Sequence, residues 1–216
     1  MPNLMHHPPF AGVDIGGPWR AGETRRTPAD VEIVAGGVDI WGTRGEFHFA
    51  CLRVAGDFEL SARLVSLGMA DLYTKAGLMM RTSLAPGAEH AFLLAFGDNQ
   101  PRNNNNGGIE FQYRLKADSP CHGIYPPQPL PLEPEFAATY PDLWLKLVRE
   151  ADTISGFYRN TRAGEKLFSW HIQQFPHDVY LGLAVTAHHA DQAVRAVFSQ
   201  VQLRANLIAT GADHPL

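Results

Sequence analysis

The side chains Lys75, Arg81, Glu110, Gln112, Arg114, Trp144, Lys146, Thr186 and His188 carry the chemistry that this chain could bring to one place. Each stands on the polar side of an alternating segment. In 75–82, Ala76, Leu78 and Met80 share one side, and Lys75, Gly77, Met79 and Arg81 share the other. Ile109, Phe111 and Tyr113 oppose Glu110, Gln112 and Arg114. Leu143, Leu145 and Leu147 oppose Trp144, Lys146 and Val148. Leu181, Leu183 and Val185 oppose Gly182, Ala184, Thr186 and His188. Successive side chains of a strand point to opposite faces, so these segments, if neighbours in one sheet, gather planar hydrogen bonders, a flat indole and small residues on one face. That set suits a polyhydroxylated or anionic ligand. Antiparallel sheets also keep a face wet with simple cross-strand pairs. Glu110 with Arg114 or Lys146 therefore reads equally as a structural ion pair, and Trp144 as a ring covered by a loop.

The elements that must position these groups are strands. The run VDIWGTRGEFHFACLR (38–53) holds two strand-like segments around a glycine turn that carries Trp41, and Phe47, Phe49 and Cys51 alternate with Glu46, His48 and Ala50. Further segments are expected at 31–34, 47–54, 58–66, 76–82, 91–96, 109–115, 143–149, 153–158, 166–172, 179–186 and 194–203. Turn chemistry separates them at Ala55-Gly56-Asp57, Pro86-Gly87 and Asn106-Gly107-Gly108. No window sustains a helical apolar period over three turns without Gly or Pro. Two stretches break the rhythm. GDNQPRNNNNG (97–107) predicts a hairpin tip. The stretch 117–142 holds Pro120, Pro126, Pro127, Pro129, Pro131, Pro134 and Pro141, which exclude both a helix and a sheet interior. Its Tyr125, Leu130, Leu132, Phe136 and Tyr140 predict an ordered segment packed on the body, able to roof the polar face with Cys121, His122 or Tyr125 near the mouth.

Length and composition agree with this pattern. A chain of 216 residues is expected to form a single β-sandwich domain over 1–216, with 117–142 as a proline-rich insert. Eighteen basic residues against 22 acidic ones give a formal charge of −4 without a block of like charges, so neither nucleic acid nor a membrane is an expected partner. The start, MPNLMHHPPF, lacks the pattern of a secretory leader, and a cytoplasmic protein with two reduced thiols, Cys51 and Cys121, is expected. No phosphate loop, dinucleotide fingerprint, nucleophile elbow, zincin helix or C-x-x-C is present, so no cofactor is expected. His188, His189 and Asp191 resemble a ligand cluster, but adjacent strand residues face opposite ways, and no metal is assigned.

Six motifs occur in order: DIWG (39–42), EFHF (46–49), KAGLMMR (75–81), FQYR (111–114), WLKLVR (144–149) and GLAVTAH (182–188). Together, over about 13–203, they resemble the concanavalin A-like family of unknown function whose fungal member is called regulation of enolase protein. The resemblance implies an all-β fold, a two-sheet antiparallel jelly-roll sandwich of the lectin/glucanase type. Glucanases of this broad fold place two carboxylates on one strand as E-x-D-x-x-E, about 5 Å apart for retention. Here the corresponding strand offers Glu110 alone. The expected function is a noncatalytic binding protein for a carbohydrate or small polar ligand on the concave face. The alternatives are a protein-protein regulator with a protein partner, and a glycoside hydrolase or lyase acting through Glu110, His188 or Tyr113.

Overall fold

A computed structural model describes residues 3–208 apart from 104, 106, 127–135 and 162, with the side chains of Asn3 and Ala163 left aside. In chain order the strands are β1 (Asn3–His6), β2 (Ala11–Ile15), β3 (Glu23–Arg26), β4 (Asp30–Ala35), β5 (Asp39–Ile40), β6 (Gly45–Leu67), β7 (Lys75–Arg81) and β8 (His90–Phe96). They continue as β9 (Ile109–Arg114), β10 (His122–Ile124), β11 (Leu143–Glu150), β12 (Thr153–Asn160), β13 (Ala163–Ile172), β14 (Asp178–Thr186) and β15 (Val194–Leu207). All pairings are antiparallel, and no helix occurs among the described residues.

The long strand β6 organises the molecule. Its first half pairs with β14 on one side and β2 on the other, which builds a front sheet in the order β10-β9-β8-β7-β14-β6-β2. Its second half pairs with β11 and β15, which builds a back sheet running from β13 through β12, β11, β6 and β15 to β4 and β3, with β1 on the far end of β15. One strand thus passes from layer to layer, and the two sheets form the expected two-layer antiparallel sandwich. The expected turn at Ala55-Gly56-Asp57 is instead the corner inside β6. Gly56 takes φ 68°, a left-handed conformation open to glycine without strain, so the chain bends without leaving the ladder.

Between the layers lies the main core. Ala76, Leu78 and Met80 of β7, Leu93 of β8, Phe111 of β9 and Leu181 and Leu183 of β14 meet Leu143, Leu145 and Leu147 of β11, Ile154 of β12, and Phe198 and Leu203 of β15. Packing across the gap is tight at Gly156 of β12, where a Cβ would come 3.0 Å from Phe111 and 3.1 Å from Leu93. The side-chain parity read from sequence in β7, β9, β11 and β14 matches this core. In β6 the alternation also holds, with Ala50 and Val54 facing this core while Phe47, Phe49 and Cys51 point to the concave face. There they join Met79, Phe92, Leu94, Phe96, Ala184, Ile15 and Ile40 in a second apolar cluster. Strands β7 and β8 are consequently buried along their whole length on both faces, and the polar side of the front sheet narrows to a pit.

The insert is ordered at both ends. It enters as β10 on the edge of β9, and it returns with Phe136 packed edge-on against Tyr158 and Phe168 while Asn99 brackets the Ala138 backbone at 2.9 and 2.7 Å. Its middle, including Pro127, Pro129, Leu130, Pro131, Leu132 and Pro134, lies outside the described residues, as does Asn106 of the expected glycine turn.

Candidate functional site

At one end of the concave face a cavity of about 240 Å³ is lined by Asp39, Trp41, Tyr73, Lys75, Phe96, Asn103, Glu110, Gln112, Tyr125 and His188. Ladder register places its floor. Lys75 sits between Thr186 of β14 and Phe96 of β8, Glu110 beside Leu94, and Gln112 between Phe92 and Gly123. Loops supply the walls: the β5–β6 turn brings Trp41, the β6–β7 loop Tyr73, the β8–β9 loop Asn103, and the end of β10 Tyr125.

The charges are locked to one another. Lys75 Nζ donates to Asp39 Oδ1 at 2.8 Å, and His188 Nε2 lies 3.4 Å from Asp39 Oδ2. His188 Nδ1 is 2.9 Å from Asp71 Oδ1, an ion-pair contact without hydrogen-bond alignment. Burial opposes the charge on Asp39, but His188 and Lys75 outweigh it and hold the carboxyl at about 2. The hydrogen bond to Asp39 raises the imidazole pKa of His188 against the opposing effect of burial. Glu110 goes the other way: burial raises it against the pull of Lys75, Gln112 and Asn105. Its Oε2 accepts from Asn105 Nδ2 at 3.0 Å and its Oε1 from Gln112 Nε2 at 2.7 Å. Gln112, 2% exposed, is left with Oε1 unpartnered among the described residues.

Of the side chains singled out in the sequence, Lys75, Glu110, Gln112 and His188 come together in this cavity. Arg81, Arg114 and Thr186 share the face but turn inward as clamps. Arg114 Nη2 donates to the carbonyls of Trp41 and Gly42, both at 3.1 Å, and its other nitrogens reach Ala88 and Ser119, so it fixes the turn that presents Trp41. The Thr186 hydroxyl lies 3.0 Å from Gly37 O and 3.1 Å from Glu46 O, and shares its proton between the two carbonyls that frame Asp39. Arg81 donates to Ser83 O and Ala85 O under the Phe47 ring. Long polar side chains on a covered face must find partners, and backbone carbonyls of the covering loops are nearest.

Trp144 and Lys146 do not belong to this face. Strand β11 pairs with the second half of β6, so its polar side looks out from the back sheet, where both residues line a separate hollow of about 180 Å³ with Glu59, Ser61, Phe157, Arg159 and Glu165. The Arg159 guanidinium covers the Trp144 ring at 4.4 Å, and Lys146 pairs with Glu165 at 2.6 Å. Nor do the small residues leave room for a ligand. A Cβ at Gly77 would lie 2.1 Å from Leu93 O and one at Gly182 2.0 Å from Ala50 O, so these glycines permit close approach of neighbouring strand backbones. His188 and His189 diverge, the second pairing with Asp191 at 2.8 Å. Cys121 is buried, and His122 stacks on Tyr113 on the other side of β9, so of the expected mouth residues only Tyr125 reaches the cavity.

Asp39, Trp41, Tyr73 and Asn103 are lining residues that parity reasoning missed, because Asp39 opens the two-residue strand β5, too short to show an alternation, and the other three come from loops. The tetrapeptide DIWG did hold two of them.

No family model and no curated protein sequence matches the chain. Among solved structures it is similar to a functionally unknown protein from Saccharomyces cerevisiae, at 12% identity over 91% of this chain and 97% of that one, with a TM-score of 0.63. A GH43 protein from Bacillus licheniformis gives 9% identity and 0.55, and this chain, matched over 85% of its own length, covers 34% of that one. The exoplasmic/lumenal domain of VIP36, in a Ca2+/Man3GlcNAc-bound form, gives 11% identity and 0.52 over 89% of this chain and 85% of that one. Identities this low speak to fold alone, and the resemblance to the regulation of enolase family finds no support in them. What they do establish, with the strand order above, is a concanavalin A-like jelly-roll sandwich.

Proposed function

We propose that this protein is a noncatalytic binder of a small polyhydroxylated ligand, one sugar ring in size, seated among Trp41, Tyr73 and Tyr125 over Glu110 and Gln112. The supporting observation is that one cavity joins aromatic rings with planar hydrogen-bonding groups. Rings offer a flat apolar platform for C–H faces, and carboxylate and amide groups take hydroxyls in their plane. A volume of about 240 Å³ falls below the roughly 300–1,000 Å³ of sites for drug-sized ligands, which favours a single ring over an oligosaccharide. Binding is favoured over turnover because both Glu110 oxygens are occupied and Asp39 is held between Lys75 and His188. A fold neighbour in a Man3GlcNAc-bound form is consistent with a saccharide ligand.

Thermal-shift measurements with D-hexoses and their N-acetyl derivatives test this. A binder at 100 times its Kd stabilises the fold by about 2.7 kcal/mol, or roughly 5–10 °C for a chain of this size. Trp41→Ala is expected to abolish that shift and Trp144→Ala to leave it intact. The opposite pattern would move the site to the back sheet, and a flat response to every sugar would end the proposal.

A further inference from the structure

Two loops of the cavity wall meet on Arg102. Its side chain is wholly buried, and the guanidinium lies over the Phe96 ring at 4.0 Å. Nε donates to Leu72 O of the β6–β7 loop at 2.8 Å, while Nη1 donates to Gln100 O at 2.7 Å and Nη2 to Asp98 Oδ1 at 2.6 Å, both in the β8–β9 loop. The residues next to the two ends of this joint are Tyr73 and Asn103, which line the cavity, and the Asn103 N–H donates to Tyr73 Oη at 3.2 Å. Main-chain bonds extend the joint to the floor. Arg102 N–H donates to Asn105 O at 2.6 Å, Asn105 N–H returns to Arg102 O at 3.1 Å, and Asn105 Nδ2 reaches Glu110 Oε2 at 3.0 Å. A planar fork of always-charged donors can hold carbonyls of two separate loops at once, which a point charge such as lysine does poorly. The stretch expected as a hairpin tip is thus, in its described residues, part of the wall.

Resting on the binding reading above, we propose that Arg102 is a positioning residue of this site: by holding Leu72 O and its own loop on one guanidinium, it fixes the spacing of Tyr73 and Asn103, so that the mouth is set before a sugar ring arrives. Arg102 itself does not line the cavity and acts through its neighbours. A wall ordered in advance spares the ligand the cost of ordering two loops, and that saving appears as affinity. Without the fork, the carbonyls of Leu72 and Gln100 must find water instead, and the loops part.

Calorimetric titration of the intact chain with D-glucose, D-galactose, D-mannose and N-acetyl-D-glucosamine provides one test. Arg102→Met, of similar length but without donors, should weaken the sugar that the unmodified protein binds roughly 10- to 100-fold. The milder Arg102→Lys, which keeps a charge for Asp98 but not the fork, should weaken it in the same direction. Gly56→Ala, which lowers stability at the β6 corner, should leave affinity unchanged. Unaltered affinity in both arginine variants would overturn the proposal, as would an equal loss in Gly56→Ala, which would show that affinity merely follows stability. A ligand-free measurement separates this from failure of the binding reading and needs no variant to fold. In 15N relaxation of the unmodified, sugar-free protein, the Arg102 and Asn103 amides should give order parameters of about 0.85, as for rigid backbone. Values below about 0.6 would show a mobile loop and overturn the proposal, whatever sugars do.

Discussion

His188 is the side chain on which the rim of the cavity turns. It follows β14 at φ 54°, in the left-handed region that non-glycine residues seldom adopt, and from there its ring reaches Asp39 of β5, Asp71 of the β6–β7 loop and the face of Tyr73. Because its folded pKa is raised, its pairing stabilises the protein fully below the unfolded value of about 6.5 and is lost as pH climbs through the folded value. Asp39 has the opposite sign. With a folded value of about 2 against 3.8, it contributes above pH 3.8, and that contribution disappears as pH falls from there toward 2. Calorimetric melting from pH 2 to 9 should show both limbs. The Asp39 limb is worth about 2 kcal/mol and should be absent in Asp39→Asn, and the alkaline limb should flatten in His188→Gln. An unchanged alkaline limb in His188→Gln would remove His188 from that role. Residue identities in the sequence pointed to His188, Lys75, Glu110 and Gln112 because their parity on neighbouring strands was readable. Asp39 and Asp71 escaped because a carboxylate in a two-residue strand or in a loop acquires its meaning from whatever that segment is folded against.

Strands impose a different kind of constraint. Gly182 pairs with Cys51 on β6 and with Met79 on β7, and a methyl group there would overlap Ala50 O at 2.0 Å and Cys51 Cα at 2.7 Å. Backbone, unlike a side-chain tip, cannot rotate away. Gly182→Ala is therefore expected to cost about 2–3 kcal/mol, measured by urea unfolding, through overpacking. Gly56→Ala, at a corner where the new Cβ would meet only His177 at 3.5 Å, should cost about 1 kcal/mol, from its positive φ alone. Equal costs would mean that the close approach of β14 to β6 is not the reason for glycine at 182. A second device binds the layers at their margin. His48 of β6 lies 2.7 Å from Asp14 of β2 and 2.8 Å from Thr24 of β3, tying a front-sheet pair to a back-sheet edge, and the bare α-carbons of Gly12 and Gly22 make space for its ring. The extent of most central strands was legible from alternation and turn residues. The short β1, β2, β3 and β10 were not, since few residues and mixed polarity leave no period to read, whereas β5 was legible as the segment before the glycine turn that carries Trp41.

At the scale of the whole molecule both thiols are buried, Cys51 in the apolar cluster of the concave face and Cys121 beside His90 and the Tyr113 carbonyl. Burial lifts Cys51 and Cys121 to about 12, against the pull of Arg81 on the first and of Arg114 and Lys75 on the second. At pH 8 a disulfide reagent should leave the native protein unlabelled over the time in which the urea-unfolded chain releases both equivalents. Rapid labelling of either thiol in the native state would show that its cover opens. The sequence by itself determined an antiparallel β architecture and, within β7, β9, β11 and β14, which side chains share a face, because pleat period and turn chemistry are local properties of the chain. Only the tertiary structure decided that β11 joins the opposite layer from β7 and β9, which removes Trp144 and Lys146 from the cavity, and that Arg81, Arg114 and Thr186 turn inward to hold loops. Those outcomes depend on which distant strands pair along the two halves of β6 and on what covers the concave face, and alternation within one segment carries no information about either.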